Sequence, residues 1–185
     1  GLPPSAVDAV VLGNALGANG NPARMLALAA GLPERVQALA VDSQCCSGMD
    51  AVTQACGLLA LGQAQVVLAG GAEAWSRAPL RQHRPLAVDQ EPVAFERPAF
   101  APWPERDPDM LDAAADGAAI LGLERGVQDA YALRSHAQAC AADLRAEIVP
   151  VAGCNRDVYP RPMSAARAAR MPALRTRTDA RGRDC

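Results

Sequence analysis

The chain has 185 residues, which is enough for one domain with a core of its own. Half of the residues are hydrophobic but only 3% are aromatic, so Ala, Val and Leu must build that core. The net charge of -2 gives no sign of nucleic acid or a membrane as a partner. No run of about 18 apolar residues appears, so no transmembrane helix is predicted.

The cysteines indicate a reduced compartment. None of the six belongs to a Cys-x-x-Cys pair or a Cys/His cluster, so neither a metal site nor a disulfide framework is predicted. The chain begins without the basic and apolar regions of a signal peptide. We therefore expect a cytoplasmic protein. The six are Cys45, Cys46, Cys56, Cys140, Cys154 and Cys185.

Strands and helices alternate along the first half of the chain. The predicted elements are a strand at 6–12, a helix at 23–30, a strand at 36–41, a helix at 49–62 and a strand within 64–73. Asn21 before Pro22 is typical of a helix start, and it closes a Gly/Asn loop at 13–22 that fits neither a P-loop nor a dinucleotide fingerprint. Right-handed crossovers between such strands predict an α/β fold with a mainly parallel sheet and buried helices.

Two cysteines stand where the second strand meets the second helix. Ser47 and Gly48 give a tight entry into that helix, whose free N–H groups would stabilise a thiolate at Cys45 and lower the thiol's pKa. A thiolate beside free N–H donors is suited to acyl transfer. The alternative is structural, because small residues and buried cysteines also pack at such junctions. Met49, Val52, Ala55, Cys56 and Leu59 recur at helical spacing behind it.

The second half differs in character. Prolines interleaved with charges between 80 and 108 exclude long helices and predict an excursion from the core. Helices are predicted at 110–123 and 128–147. The apolar face of the second of these helices is expected to consist of Tyr131, Leu133, Ala137, Cys140 and Leu144.

Four segments resemble the thiolase family. Residues 41–52 resemble its nucleophile segment, Gln-Cys-Ser-Ser-Gly followed by a buried helix, with Cys45 on the nucleophile and Cys46 where members have a small residue. Residues 70–79 are similar to Gly-Gly-x-Glu-x-Met-Ser-x-Ala-Pro, with Trp75 in place of Met. Residues 128–136 and 147–151 resemble segments of the family's loop domain. The matches span most of residues 6–163, the N-terminal portion of a thiolase.

The resemblance implies a thiolase-like fold in three parts. These are a partial N-terminal α/β core at 1–79, a substrate-covering loop region at 80–150, and a return segment with an Arg-rich tail at 151–185. It also implies that Met110 borders an acyl-CoA pocket, although the preceding residue, often His in the family, is Asp109. Coenzyme A would be a substrate, no cofactor would be tightly bound, and the chain would form a homo-oligomer or pair with another thiolase chain.

The implied activity is that of an acetyl-CoA acetyltransferase or 3-ketoacyl-CoA thiolase of fatty acid metabolism. Cys45 would carry the acyl group in thiolysis of a 3-oxoacyl-CoA or in condensation of acetyl-CoA. The family's Gly-His-Pro and Cys-x-Gly-Gly-Gly segments, which hold the base and a second cysteine, do not occur in the 185 residues. His83 and His136 are weak replacements, because isolated histidines are mostly structural.

Two other functional interpretations remain open. The chain could be a non-catalytic thiolase fragment or an accessory subunit of a full-length thiolase, and open sheet edges would then favour aggregation or obligatory pairing. A ketoacyl synthase also places a cysteine at a helix start, but residues 128–136 and 147–151 resemble thiolase instead.

The Arg-rich tail has its own alternatives. It could be a solvated face or a patch for an anionic partner. A third hypothesis is a reading frame shifted after about Ala173. Codons for residues 180–185, read one nucleotide later, can spell His-Gly-Ala-Val-Thr-Ala, which resembles the family's Gly-Thr-Val-Thr-Ala strand. The hypothesis requires the shifted DNA to continue into Gly-Asn-Ala-Ser.

Overall fold

A computed structural model describes residues 2–17 and 20–185; positions 18 and 19 of the Gly/Asn loop predicted from sequence lie outside the described residues. Two compact units divide the chain, Gly1–Pro98 and Ala99–Cys185. These units are defined by contacts within the chain, whereas the three parts inferred from the family are defined by their roles. The three-part division therefore stays a prediction.

The first unit is a three-layer α/β structure. Its three long strands form one parallel sheet in the order β2-β1-β3, which confirms the predicted α/β fold. A two-stranded antiparallel hairpin follows. The elements are β1 (Ala9–Gly13), α1 (Pro22–Ala29), β2 (Gln37–Val41), α2 (Ser47–Ala60), β3 (Val67–Gly71), β4 (Gln82–His83) and β5 (Val93–Ala94), with single 3-10 turns at Pro4–Ala6 and Trp75–Arg77.

The central strand β1 is buried along its whole length and separates two small cores. On one face, Val10 and Leu12 pack against Ala23 and Ala27 of α1. On the other face, Val11 packs against the alanines of α2. Alanine at these positions lets each helix lie close to the sheet, as the low aromatic content predicts.

Local signals explain where α1 begins. The Asn21 side chain accepts the N–H of Arg24 at 3.1 Å, and Pro22 occupies the first helical position. This cap satisfies one of the free donors of the first turn. The predicted helix start is thus the observed one to within a residue.

The side of α2 that meets the sheet is not its most apolar one. Ala51 and Ala55 are buried, whereas Met49 and Val52 are 77% and 50% exposed. The helical spacing of large apolar residues therefore predicts the helix, but these side chains do not face the sheet.

Helices dominate the second unit. They are α3 (Met110–Leu121), α4 (Arg125–Ala141) and α5 (Ala165–Ala169), preceded by a 3-10 turn at Pro104–Arg106. The predicted helix 128–147 is displaced: α4 begins earlier and ends at Ala141, because Asp143 accepts the N–H of Arg145 and starts a separate turn.

The predicted apolar face of α4 is wrong. Tyr131 is 66% exposed, and Leu144 lies beyond the end of the helix. The side of α4 that contacts the rest of the unit is anchored by Arg125, which donates to the carbonyls of Ala168 and Met171 at 3.0 Å each. Arg125 thus fixes the start of α4, whereas Leu133 near its middle is only half-buried.

Arginines of the tail pair with acidic residues of the same unit. Arg175 contacts Asp112 at 2.9 Å, and Arg177 contacts Asp112 at 3.0 Å and Asp116 at 2.6 Å. These charges are balanced by α3, so this part of the tail is not an unmatched basic patch. The shifted reading frame stays a prediction.

Among the described residues, no helix has the length and apolar character needed to cross a bilayer. The same residues contain no group of three or more His, Cys, Asp or Glu side chains suited to a metal ion.

Gly13 at the end of β1 should not tolerate a side chain. A Cβ there would lie 2.5 Å from the Ser47 carbonyl carbon and 2.6 Å from the Gly48 nitrogen, both backbone atoms. We expect Gly13→Ala to lower the free energy of unfolding by about 1–3 kcal/mol, measured by urea denaturation.

The matched control is Gly57→Ala on α2, where an added Cβ meets nothing within 4 Å. That variant should gain about 0.5–1 kcal/mol, since alanine favours a helix over glycine. Equal effects of the two variants would contradict the close packing at Gly13.

A second prediction concerns Asp179 and pH. The N–H of Arg183, its guanidinium and the N–H of Arg181 hold the pKa of the Asp179 carboxyl below its ordinary value of 3.8. A pKa lowered by folding stabilises the protein above the unfolded pKa, and the effect disappears as the pH falls through the folded pKa. We expect Asp179→Asn to reduce resistance to urea near neutral pH and to matter progressively less below pH 3.8.

Asp157→Asn is the control, because Asp157 is exposed in the same unit. Asp157→Asn should leave the urea midpoint unchanged near neutral pH and also below pH 3.8. A difference between wild type and Asp179→Asn that stays constant with pH would refute the assigned contacts.

Candidate active site

Three loops meet at the carboxyl edge of the parallel sheet. The loop after β1 is tied to the loop after β3, because Asn14 donates its side-chain amide to the Ala72 carbonyl at 2.9 Å. The Glu73 carboxylate accepts the N–H groups of Ala15 and Leu16, the latter at 3.3 Å. Parallel strands bring their carboxyl ends to one edge, which is where open α/β sheets place ligands.

Helix α2 begins directly above the strand ends. Gly13, the last residue of β1, packs against the backbone of Ser47 and Gly48, because their atoms occupy the space that a Cβ at residue 13 would need. A Cβ on Gly71, the last residue of β3, would lie 3.3 Å from the Gly13 oxygen and 3.7 Å from the Gly48 Cα. Glycines in two strands thus let the first turn of α2 rest on the sheet edge.

A tight turn presents Cys45 between β2 and α2. Gln44 has a φ of 56°, which is left-handed and uncommon for a residue other than glycine. Its N–H donates to the Asp42 carboxylate at 3.0 Å, and its carbonyl accepts the N–H of Ser47 at 3.1 Å. Non-glycine residues keep such a conformation only where neighbouring contacts enforce it.

Ser47 is the residue that closes this turn. Its side chain is buried, with 4% of the residue exposed. The Oγ accepts the N–H of Ser43 at 3.0 Å and donates to the Gln44 carbonyl at 2.6 Å. The Ser43 hydroxyl in turn donates to the Asp50 carboxylate. These bonds fix the backbone on both sides of Cys45.

The thiols themselves face outward. Cys45 and Cys46 are both exposed and free. Cys46 is the N-cap of α2 and its side chain makes no capping hydrogen bond. The first-turn amides of Gly48 and Met49 have no partner within the helix. Cys45 therefore sits at the start of a helix whose first-turn N–H groups need partners from outside the helix.

The histidines are placed elsewhere. His83 lies on β4 with its ring stacked on Phe95, the centroids 4.5 Å apart. His136 lies on α4 in the second unit, where it lines a cavity. Whether either histidine serves as a base stays a prediction.

Met110 is the first residue of α3 and is 60% exposed. Asp109, which replaces the family's histidine, is the N-cap and accepts the N–H of Leu111 at 2.8 Å. This residue therefore has a local structural role. The place of Met110 at an acyl-CoA pocket stays a prediction.

A cavity of about 730 Å³ lies within the second unit. Its walls are mainly apolar, with Leu111, Leu133 and Met171 among them, and Arg161 and His136 also line it. Arg161 donates to the Tyr159 carbonyl at 3.3 Å. Within residues 99–185, no carboxylate pairs with its guanidinium. The sequence does not reveal this cavity, because its walls come from segments far apart in the chain.

The family described as "Thiolase, N-terminal domain" matches residues 1–173. A protein of Staphylococcus aureus strain COL, provisionally named acetyl-CoA C-acetyltransferase VraB, is 39% identical over 158 residues, or 84% of this chain and 40% of that protein. The Staphylococcus haemolyticus protein of that name is 41% identical over 151 residues, 78% of this chain and 39% of the relative. The chain spans about two fifths of the length of these curated relatives.

Solved structures share the architecture. The Acat5 thiolase from Ascaris suum, in complex with coenzyme A, superposes with a TM-score of 0.76 at 24% identity, over 91% of this chain and 47% of the thiolase. The Bacillus anthracis acetyl-CoA acetyltransferase gives a TM-score of 0.62 at 35% identity, over 75% and 36% of the two chains. The resemblance inferred from four motifs is confirmed.

The turn around Cys45 should depend on the Ser47 hydroxyl. Ser47→Ala removes two buried hydrogen bonds and leaves the Ser43 N–H without its partner. We expect the free energy of unfolding to fall by about 1–3 kcal/mol, measured by urea denaturation.

Ser76→Ala serves as the control, since Ser76 is exposed in the same unit. Its effect should stay within about 0.5 kcal/mol. If Ser47→Ala changed the free energy of unfolding as little as Ser76→Ala, the Ser47 hydroxyl would not hold the turn.

Proposed function

Because the chain belongs to the thiolase family, we propose that it carries the nucleophile of a thiolase-type acyltransferase and that Cys45 takes up the acyl group. The observation that carries this proposal is the exposed Cys45 held by a fixed turn at the start of α2, above the sheet edge. The names of the S. aureus and B. anthracis relatives support acetyl-CoA as a substrate.

In the proposed first half-reaction, the Cys45 thiolate attacks the carbonyl carbon of an acyl-CoA thioester. A carbon–sulfur bond forms, and the carbonyl oxygen takes up the negative charge. We assign the free first-turn amides of Gly48 and Met49 to that oxygen, since fixed donors aimed at a developing oxyanion stabilise the transition state. Collapse of the intermediate breaks the bond to the coenzyme A sulfur and leaves an acyl-enzyme.

The second half-reaction passes the acyl group on. In condensation, an acetyl-CoA carbanion accepts the acyl group. In thiolysis, Cys45 has instead attacked the 3-oxo carbon of a 3-oxoacyl-CoA, the bond between C2 and C3 has broken, and the departing carbanion has taken a proton and left as acetyl-CoA; coenzyme A then accepts the acyl group. Both directions need a base, which must take the proton from the thiol of Cys45 or from the acceptor. With His83 stacked on Phe95, we propose that residues beyond these 185 or another chain supply the base and the second cysteine.

For the second unit we propose a role in holding coenzyme A. Its cavity combines apolar walls with Arg161, whose guanidinium suits a phosphate group. Met110 would border the acyl-CoA pocket, as the family resemblance implies. A cytoplasmic location, a part in fatty acid metabolism and a homo-oligomer belong to the same proposal.

A non-catalytic role is the second candidate. Met49 on α2 and Leu61, the C-cap of that helix, are 77% and 74% exposed. In the described part of the sheet, β2 and β3 each have one edge without a strand partner. These features favour pairing with another thiolase chain. Light scattering tests this candidate, since a clean monomer at high concentration would argue against it.

The acyl-enzyme can be sought without full turnover. After incubation with acetyl-CoA, we expect mass spectrometry to find one acetyl group on the tryptic peptide 36–77, which contains Cys45, Cys46 and Cys56. Cys45→Ala should lose the label because the nucleophile is gone, whereas Cys56→Ala should keep it.

Coenzyme A-dependent loss of acetoacetyl-CoA absorbance, run on the same proteins, measures turnover. Acylation without turnover would mean that the base is supplied from outside the chain. A wild-type peptide that never acquires the label would support the non-catalytic candidate, and a label that persists in Cys45→Ala would reject Cys45 as nucleophile.

A further inference from the structure

Two thiols stand side by side at the turn into α2. Cys45 and Cys46 are consecutive, exposed and free. Cys46 makes no capping bond although it is the N-cap. Within the described part of the chain, no hydrogen bond or ion pair engages either side chain. Both residues are therefore at the surface, where a small reagent can reach them.

We propose that Cys45 and Cys46 form an oxidation site, at which a peroxide converts the two thiols into a reversible disulfide between adjacent residues. The proposal goes beyond acyl transfer, because the disulfide needs only the two free thiols and does not require that Cys45 be the acyl-transfer nucleophile. Where Cys45 is that nucleophile, the disulfide blocks acylation until a reductant restores the thiols.

Cys46 is the partner because the other thiol of this helix is out of reach. Cys56 follows Cys46 by ten positions on α2. At about 1.5 Å of rise per residue, this places it about 15 Å along the axis. Disulfides need Cβ atoms about 3.5–4.5 Å apart, so the rigid helix excludes Cys56. Cys46, by contrast, precedes the first helical residue and lies in the turn.

The chemistry balances with one equivalent of hydrogen peroxide. The sulfur of deprotonated Cys45 attacks one peroxide oxygen, the O–O bond breaks, and the departing hydroxide takes a proton and leaves as water. Cys45 is then a sulfenic acid. The sulfur of Cys46 attacks the Cys45 sulfur, the S–O bond breaks, and hydroxide leaves with the Cys46 proton as a second water. Two thiols are oxidised by two electrons, and the peroxide is reduced.

The product should be easily reduced. Consecutive Cα atoms are about 3.8 Å apart, below the range of about 4.4–6.8 Å that is usual for disulfides. Strained and exposed disulfides have more oxidising potentials and are the labile ones. Such a bond suits a reversible site. It also spares Cys45 from the sulfinic acid, which dithiothreitol does not reverse.

The test uses the whole chain treated with hydrogen peroxide, then alkylated with iodoacetamide and digested with trypsin. We expect peptide 36–77 to lose the mass of two hydrogen atoms and to accept one alkyl group instead of three, at Cys56. Dithiothreitol before alkylation should restore all three. Cys46→Ala should gain two oxygen atoms at Cys45 instead, while Cys56→Ala should still form the disulfide.

Other products would overturn the proposal. These are a bond from Cys45 to Cys56, a disulfide between chains, or sulfinic acid at Cys45 forming equally fast in wild type and Cys46→Ala. Because the readout is the state of the sulfurs and not acyl transfer, its failure is distinguishable from failure of the proposed function. That function fails separately, when fully reduced protein acquires no acetyl label.

Discussion

The close approach of α2 to the sheet edge sets the geometry of the first unit. Backbone atoms of Ser47 and Gly48 occupy the space where a side chain at Gly13 would stand. This contact depends on glycine at the end of β1, and the neighbouring Gly71 gives similar room at the end of β3. Because the first turn of α2 rests there, its N–H groups and the preceding turn lie beside the loops that follow all three strands.

The same need for close packing explains the unusual composition. Ala23, Ala27 and Ala51 are fully buried against the sheet. Small side chains bring the helices near the strands, but they bury little apolar area each. Larger apolar residues of α2, such as Met49 and Val52, are exposed. A domain built in this way keeps an apolar outer surface, which is consistent with the proposed pairing of chains.

Features with local causes were predictable from the sequence. Asn21 and Pro22 mark the start of α1 because capping depends on adjacent residues. The alternation of strands and helices predicts the parallel sheet. The packing of α4 was not predictable in this way, because Arg125 bonds to the carbonyls of Ala168 and Met171, which are 43 and 46 positions away in the chain.

Part of the candidate site was likewise predictable from the sequence, and part was not. Cys45 is visible from its motif, whereas the role of Ser47 depends on a hydroxyl meeting two backbone groups of a left-handed turn. No spacing rule indicates such a turn, since Gln44 is not a residue that favours a positive φ. The cavity at Arg161 was hidden because residues from 111 to 185 line it.

The backbone at Cys46 bears on the chemistry of this turn. Ser, Thr, Asp and Asn cap a helix from an extended backbone, with a side-chain oxygen that accepts an N–H of the first turn. Cys46 has helical angles instead, φ -87° and ψ -6°, and its side chain makes no capping bond. The N–H groups of Gly48 and Met49 are the donors that the proposed acyl transfer assigns to the substrate oxygen. Because residue 46 does not cap them, its side chain does not compete with the substrate for these donors.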